Sequence, residues 1–265
     1  MTDGALQKRK AFAEAVAREA AALALDYYQN RDRLQTKLKG FQDFLTVADG
    51  EVEALLRRRV ADAFPGDGFL GEEGGGEGAE RLWIVDPIDG TANFARGDLH
   101  WCISIGYAER NRPVLGVVAA PSLGETFSAG QGGGATLNGK PITVAPTAEM
   151  RSATIEIGWS ARLPAKSYLD LVARVMSLGA APKRSASGAL GMCWTAAGRT
   201  DAYLEMHINS WDVAAGTVIA REAGALVNEF FSGDGLRKGN PILVATPTLA
   251  GPLADAMGLS RSDLV

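Results

Sequence analysis

Apolar and charged residues recur at helical spacing through residues 5 to 29, "ALQKRKAFAEAVAREAAALALDYYQ", which predicts a long helix rich in alanine and leucine. A second helix is predicted to begin at Thr46. In "TVAD" Thr46 is the N-cap and Asp49 the third helical position, a capping-box variant, and "EVEALLRRRVADAF" continues until Pro65-Gly66-Asp67-Gly68 ends it. The polar, glycine-rich run "GEEGGGEGAE", residues 71 to 80, reads as a loop entering a buried strand, Leu82 to Val85. From 102 to 144 the pattern changes to short apolar or alternating runs, "CISIGYAE", "PVLGVVAA" and "ETFSAG", and "ATLNGKPITV" holds the hairpin signal Asn138-Gly139. After about residue 150 strands and helices alternate: "ATIEI", helices 167–177 and 188–198, "DAYLEM", helix 212–223, then "ALVNEF" and "PILVAT". The pattern predicts an α+β half, 1–148, followed by a layered α/β half, 149–265, without internal repeat or low-complexity tail.

Composition narrows the class. At 46% hydrophobic and 22% charged residues the 265-residue chain is that of a folded protein, not a disordered one. A net charge of −4 and a pI near 5.4 give no global reason to expect a nucleic-acid partner. The basic run Arg57-Arg58-Arg59 falls inside a helical pattern and reads as a solvated face. Cys102 and Cys193 lie far apart in apolar stretches, as two reduced core thiols would. No segment has the apolar length of a signal peptide or membrane span, so the expected setting is the cytoplasm.

The chemistry concentrates where the first strand ends, in "DPIDGT". Asp86 and Asp89 bracket Pro87, and Glu72 and Glu73 stand in the preceding loop; the distant Asp212 opens the apolar stretch "VAAGTVIAREAG". Carboxylates brought together repel unless protons or a cation neutralise them. Oxygen ligands without cysteine or histidine at zinc spacing suit Mg²⁺, and His100 and His207 read as partly buried imidazoles rather than catalysts. Pro87 lacks an N–H for the ladder, so the chain is expected to leave the sheet there, freeing carbonyls such as that of Ile88. Gly90 permits close backbone approach, and Thr91 is expected to cap a short helix over 91–95 whose N–H groups suit phosphate. Carboxylates for metal beside amides for phosphate imply metal-assisted phosphoryl transfer rather than an ordinary solvated Asp-Pro turn.

"GEE", "WIVDPIDGTANF" and "WDVAAGTVIAREAG", with "TVAD", "GVVAAPSLGETFSAGQGGGATLNGKPI" and "AAGRTDAYLE", resemble the inositol monophosphatase family of Mg²⁺-dependent, lithium-sensitive phosphatases over nearly the whole chain. The resemblance implies a layered αβαβα sandwich of the inositol monophosphatase/fructose-1,6-bisphosphatase type, a homodimer, and a phosphomonoesterase whose first candidate substrate is inositol 1-phosphate. It places Glu72, Asp86 and the Ile88 carbonyl on one Mg²⁺ and Asp86, Asp89 and Asp212 on a second, with a third, weaker ion near Glu72. Thr91, hydrogen-bonded to Asp49, would orient and deprotonate the attacking water, with Glu72 counted in the same catalytic set. The N–H groups of Gly90 and Thr91 would hold phosphate oxygens, and Glu205 and Asp212 would meet substrate hydroxyls, with Ser187 and Gly188 on the sugar side. In "RSASG", residues 184–188, Ala186 stands where the family usually has glycine and Gly188 where it has alanine, so inositol is not singled out. The resemblance also covers relatives with the same metal core that use histidinol phosphate, fructose 1,6-bisphosphate or 3′-phosphoadenosine 5′-phosphate, which the core motifs do not separate. The family also includes bacterial proteins that bind transcription machinery. Lys39 is read as a surface lysine, and loop 71–80 and the 36–45 segment are expected to loosen where like-charged acids lack their cation.

Overall fold

The computed structural model describes residues 3–34, 36–40, 43–76 and 78–265. Helices α1 (Asp3–Gln29) and α2 (Val47–Ala63), joined through the hairpin β1 (Thr36–Gly40) and β2 (Asp43–Thr46), cover one face of a seven-stranded sheet. Ala13, Ala17, Ala20 and Ala24 of α1 fall on one helical stripe and are fully buried, so its backbone lies close to its neighbours without ordering long side chains.

The sheet runs in chain order: β3 (Gly68–Gly71), β4 (Arg81–Asp89), β5 (Cys102–Glu109), β6 (Arg112–Ala120), β7 (Glu125–Gly130), β8 (Ala135–Leu137) and β9 (Lys140–Pro141). Only β3 and β4 pair parallel. The short helix α3 (Thr91–Arg96) lies between β4 and β5. As predicted, Asn138 and Gly139 turn the β8–β9 hairpin, at φ 50° and 77°.

A second sheet has the order β11 (Ala181–Lys183), β10 (Thr154–Ile157), β12 (Ala202–Ile208), β14 (Asn240–Ala245), β13 (Leu226–Val227). Helices α4 (Ala165–Ser177) and α8 (Pro247–Met257) cover its outer face. Helices α5 (Gly188–Ala196) and α6 (Ser210–Glu222) fill the space between the sheets, and α7 (Gly235–Lys238) packs against α6. Side chains alternate accordingly: Tyr203, Ile242 and Val244 face the central helices, Leu204, Leu243 and Ala245 the outer ones. The layers are therefore α, β, α, β, α.

Helix α6 is apolar all round because both its faces are covered. It enters a slot formed by Gly106 and Gly116, which pair across β5 and β6. A Cβ on Gly106 would lie 2.6 Å from Ala214 Cβ, and one on Gly116 only 2.2 Å from the Ala215 carbonyl oxygen. Two missing side chains thus set how closely Asp212, at the start of α6, approaches the end of β4.

Several expectations change. Strand β4 does not end at Val85 but runs through Pro87 to Asp89, because the proline falls in a bulge where no ladder N–H is required. Gly90, not Thr91, caps α3, and α6 begins at Ser210, with Asn209 as its N-cap and Asp212 at the third position. "ALVNEF" yields only the two-residue β13, since the Asn228 side chain takes over the ladder: it accepts from Leu243 N at 2.7 Å and donates to the Pro241 carbonyl at 3.0 Å. Strand β11 and helices α7 and α8 have no counterpart in the sequence reading. Both cysteines are buried and unbridged. Among the described residues no helix is long and apolar enough to cross a membrane.

Candidate active site

The bulge in β4 decides where the aspartates point. In a regular strand residues three apart face opposite sides of the sheet. Here Asp86 pairs with Ser104 and Asp89 with Cys102, so β4 spends three steps where β5 spends two. The extra residue returns Asp89 to the side of Asp86. Asp86 Oδ1 accepts the Ile88 N–H at 2.9 Å, closing the turn inside the bulge.

Asp89 is anchored from the other half of the chain. Its Oδ2 accepts the Ser187 hydroxyl at 2.7 Å and the Ala189 N–H at 2.7 Å, and its Oδ1 the Gly188 N–H at 3.2 Å, all at the start of α5. The Cys102 thiol adds a contact at 3.7 Å. Burial raises the Asp89 pKa, and these donors oppose the rise. The sequence reading gave Ser187 and Gly188 to the substrate; the structure engages them with Asp89, the N-cap serine being the legible signal.

Asp212 arrives by a different device. The Asn209 N–H donates to its Oδ2 at 3.0 Å, completing a capping box. Carboxylate oxygens of Asp86, Asp89 and Asp212 then lie within 4.8 Å of one another. Burial, followed by the charges of Glu72, Asp89 and Asp212, drives the Asp86 pKa well upward, and burial with Asp89 and Glu72 does the same to Asp212. Carboxylates this close disfavour full ionisation and favour a bound proton. Three converging carboxylates, surrounded by charge of their own sign, fit a hard divalent cation that would take that proton's place.

Asp49 is fully buried at the start of α2, where its Oδ2 accepts the Thr46 N–H at 2.8 Å and the Thr46 hydroxyl at 2.6 Å. Burial pushes its pKa up to about 6. Its Oδ1 lies 3.3 Å from Thr91 Oγ1, whose proton has a second acceptor in the Ile88 carbonyl at 2.9 Å. That carbonyl keeps a second lone pair. Gly90 adopts φ 92°, and a Cβ there would stand 2.9 Å from the His100 carbonyl oxygen, so only glycine fits.

A cleft of about 520 Å³ opens over these groups and is lined by Glu72, Asp89, Gly90, Thr91, Ser187, Gly188, Glu205 and Asp212. Asp86 and Ile88 lie beneath it, buried. Glu72 reaches the cleft but is not one of the three whose oxygens converge. Glu205 is buried at 7% exposure, accepts the Tyr203 hydroxyl at 2.6 Å, and is pushed by burial up to about 7. Ala186 adopts φ 63°, a left-handed conformation that accounts for the family's usual glycine there. Arg96, Arg162, Arg184 and His207 also line the cleft. His100 instead stacks edge-on against Trp194 at 4.5 Å.

One further expectation is corrected. Arg57 is not part of a solvated face: it is half-buried and donates to the Gly75 carbonyl at 2.9 Å. Within the loop read from the sequence, residues 71–75 form a closed turn, with Gly71 N bonded to Gly75 O at 3.1 Å. In the 36–45 segment Phe41 and Gln42, like the Lys39 side chain, lie outside the described residues.

The inositol monophosphatase family profile matches residues 5–257. A Nus factor SuhB of Vibrio cholerae is 34% identical over 236 residues, spanning 87% of this chain and 88% of that protein. A Thermotoga maritima protein named fructose-1,6-bisphosphatase/inositol-1-monophosphatase is 35% identical over 217 residues, spanning 80% and 81%. The crystal structure of the extragenic suppressor protein suhB from Bartonella henselae superposes with a TM-score of 0.86 at 31% identity, spanning 93% of this chain and 96% of that one. With layers, site and whole-length similarity in agreement, the chain belongs to the inositol monophosphatase family.

Proposed function

We propose that the protein is a Mg²⁺-dependent phosphomonoesterase acting on a small polyol phosphate, with inositol 1-phosphate the first candidate. One observation carries this reading: Asp86 and Asp89 of β4 and Asp212 of α6 converge within 4.8 Å at the foot of the cleft that Thr91 also lines. Glu72, Asp86 and the Ile88 carbonyl would hold one cation and Asp86, Asp89 and Asp212 the other, with a third near Glu72. Once bound, the cations supply charge neutralisation at the phosphoryl and leaving oxygens and lower the pKa of a water. Thr91 would orient that water and take its proton on Oγ1 as its own hydroxyl proton passes to Asp49, which enters as a carboxylate and leaves as the acid. Gly90 and Thr91, at the first turn of α3, present N–H groups that the helix itself leaves without acceptors. Glu205, held by Tyr203, accepts a hydroxyl of the polyol. The division at residues 148/149, a homodimer and a cytoplasmic setting complete the reading.

The test is phosphate release with Mg²⁺, with and without lithium, from inositol 1-phosphate, histidinol phosphate, fructose 1,6-bisphosphate, 3′-phosphoadenosine 5′-phosphate and glycerol 2-phosphate. Asp86→Asn is expected to abolish release and to cost more than Glu72→Gln, because Asp86 serves both cations. Near-normal release by Asp86→Asn defeats the assignment.

A substrate with two phosphate groups, such as fructose 1,6-bisphosphate, is the second reading, favoured by Arg96, Arg162 and Arg184 in the cleft wall. Lys183 does not join them; it pairs with Glu156 at 3.4 Å. Similarity to proteins named Nus factors supports a further role at the transcription machinery, through protein contacts rather than RNA given the net charge of −4.

A further inference from the structure

We propose that Glu53 is a positioning residue for Glu72: with Arg57, its buried carboxylate clamps the 71–75 turn and fixes where Glu72 meets a cation. This rests on the reading of Glu72 as a cation-binding group. Glu53 lies in the middle of α2, is 4% exposed, and touches neither the cleft nor the aspartate trio. Its Oε2 accepts the Glu73 N–H at 2.8 Å and its Oε1 the Gly74 N–H at 2.9 Å. Two successive N–H groups of a tight turn form an anion-binding concavity, here filled by a side chain of the same protein. Without the carboxylate both part-buried donors would lose the acceptor that holds the turn against α2.

The clamp has a second arm. Arg57, one helical turn on, donates to Glu53 Oε1 at 2.8 Å and to the Gly75 carbonyl at 2.9 Å, while its guanidinium lies 4.4 Å from the Phe69 ring centroid of β3. The turn is built to receive this pair: a Cβ on Gly71 would stand 2.3 Å from Glu53 Oε2, and one on Gly74 2.5 Å from Oε1. On the far side the Glu72 N–H donates to the Val85 carbonyl at 3.2 Å, next to Asp86 in β4. Glu72 is thus held through its own amide by the strand and through the next two amides by α2. The same helix presents Asp49 one turn before Glu53, so one rigid element sets both the proton acceptor of Thr91 and the cation ligand Glu72.

The experiment measures Mg²⁺ binding by calorimetry, without substrate, for the wild type, Glu53→Ala, Glu53→Gln and Glu72→Gln, together with the Mg²⁺ dependence of turnover. Losing a group that orients a ligand costs about 10- to 100-fold in metal affinity. Glu53→Ala is therefore expected to weaken Mg²⁺ binding at the site Glu72 serves by at least about 10-fold, with kcat at saturating Mg²⁺ within about 3-fold of wild type. Glu53→Gln, which keeps one acceptor oxygen, falls between. A fall in Tm with unchanged Mg²⁺ affinity would show a merely structural Glu53 and overturn the proposal. Absence of Mg²⁺ binding by the wild type would instead defeat the functional reading beneath it. Should Glu53→Ala not fold, hydrogen exchange of the metal-free wild type decides: slow exchange at the Glu73 and Gly74 amides supports the clamp, and open-loop rates overturn it.

Discussion

Helices α2 and α6 begin in the same way and end up doing opposite electrostatic work. Each opens with a capping box whose third residue is an aspartate, Asp49 in one and Asp212 in the other, and each aspartate accepts the N–H of its own N-cap. Their surroundings differ. Asp49 faces hydroxyl groups, Thr46 and Thr91, so its charge has donors and its pKa rises only to about 6. Asp212 is buried and faces Asp89 and Glu72, so burial and then like charge drive its pKa well upward. On the proposed reading, one local motif would yield a proton acceptor in one place and a cation ligand in the other. The tertiary neighbour, not the helix start, assigns the role.

The comparison breaks most visibly at Asp212. Asp212→Asn keeps an acceptor for the cap but removes a cation ligand, so turnover with Mg²⁺ is expected to fall by about 10³-fold. Because the lost charge was opposed by its neighbours, the Tm of the same variant in EDTA rises above that of wild type. A lower Tm in EDTA would mean that the capping bond, not like-charge repulsion, dominates at this position.

Asp49→Asn removes a proton acceptor instead, and turnover falls by about 10²-fold. The pH profile gives the sign. A carboxyl raised to about 6 is protonated below that pH and cannot take the Thr91 proton, so wild-type turnover climbs through about pH 6 and levels off above it. The climb should vanish from the residual activity of Asp49→Asn. The folded state also holds this proton more tightly than the unfolded chain does, so Asp49 costs stability as pH rises from about 4 to about 6. Denaturant titrations of the two proteins across that window check the second sign.

The smallest effects separate the two helices by packing. Gly116→Ala pushes a methyl against the α6 backbone and is expected to destabilise by about 1–3 kcal/mol. Gly50→Ala, in the first turn of α2 with no atom within 4 Å of the added Cβ, should stabilise by about 0.5–1 kcal/mol. Urea midpoints of the two variants decide whether α6 is as tightly slotted as its glycines indicate.

What could be seen in the sequence was what local chemistry encodes. "TVAD" gave the start of α2, Asn138-Gly139 the β8–β9 hairpin, and "DPIDGT" the aspartates that meet at the cleft. "NSWD" at 209–212 carries the same capping signal as "TVAD", so the true start of α6 was within reach. The bulge was not, because it is defined by the count of residues on the facing strand. Nor was the hold of Ser187 and Ala189 on Asp89, about a hundred residues away in the chain. Arg57 looked like one of three surface cations because helical spacing reports which face a residue is on, not which turn comes to rest against it.

The extra residue in β4 makes the site a matter of arithmetic as well as chemistry. Adding one residue to β5 between Cys102 and Ser104 would leave every acid in place and restore a regular ladder, yet turn one aspartate to the far face of the sheet. Within this pair of strands, length is inherited information: a homologue that keeps all its acids but gains that one residue in β5 has parted the aspartates without losing a single carboxylate.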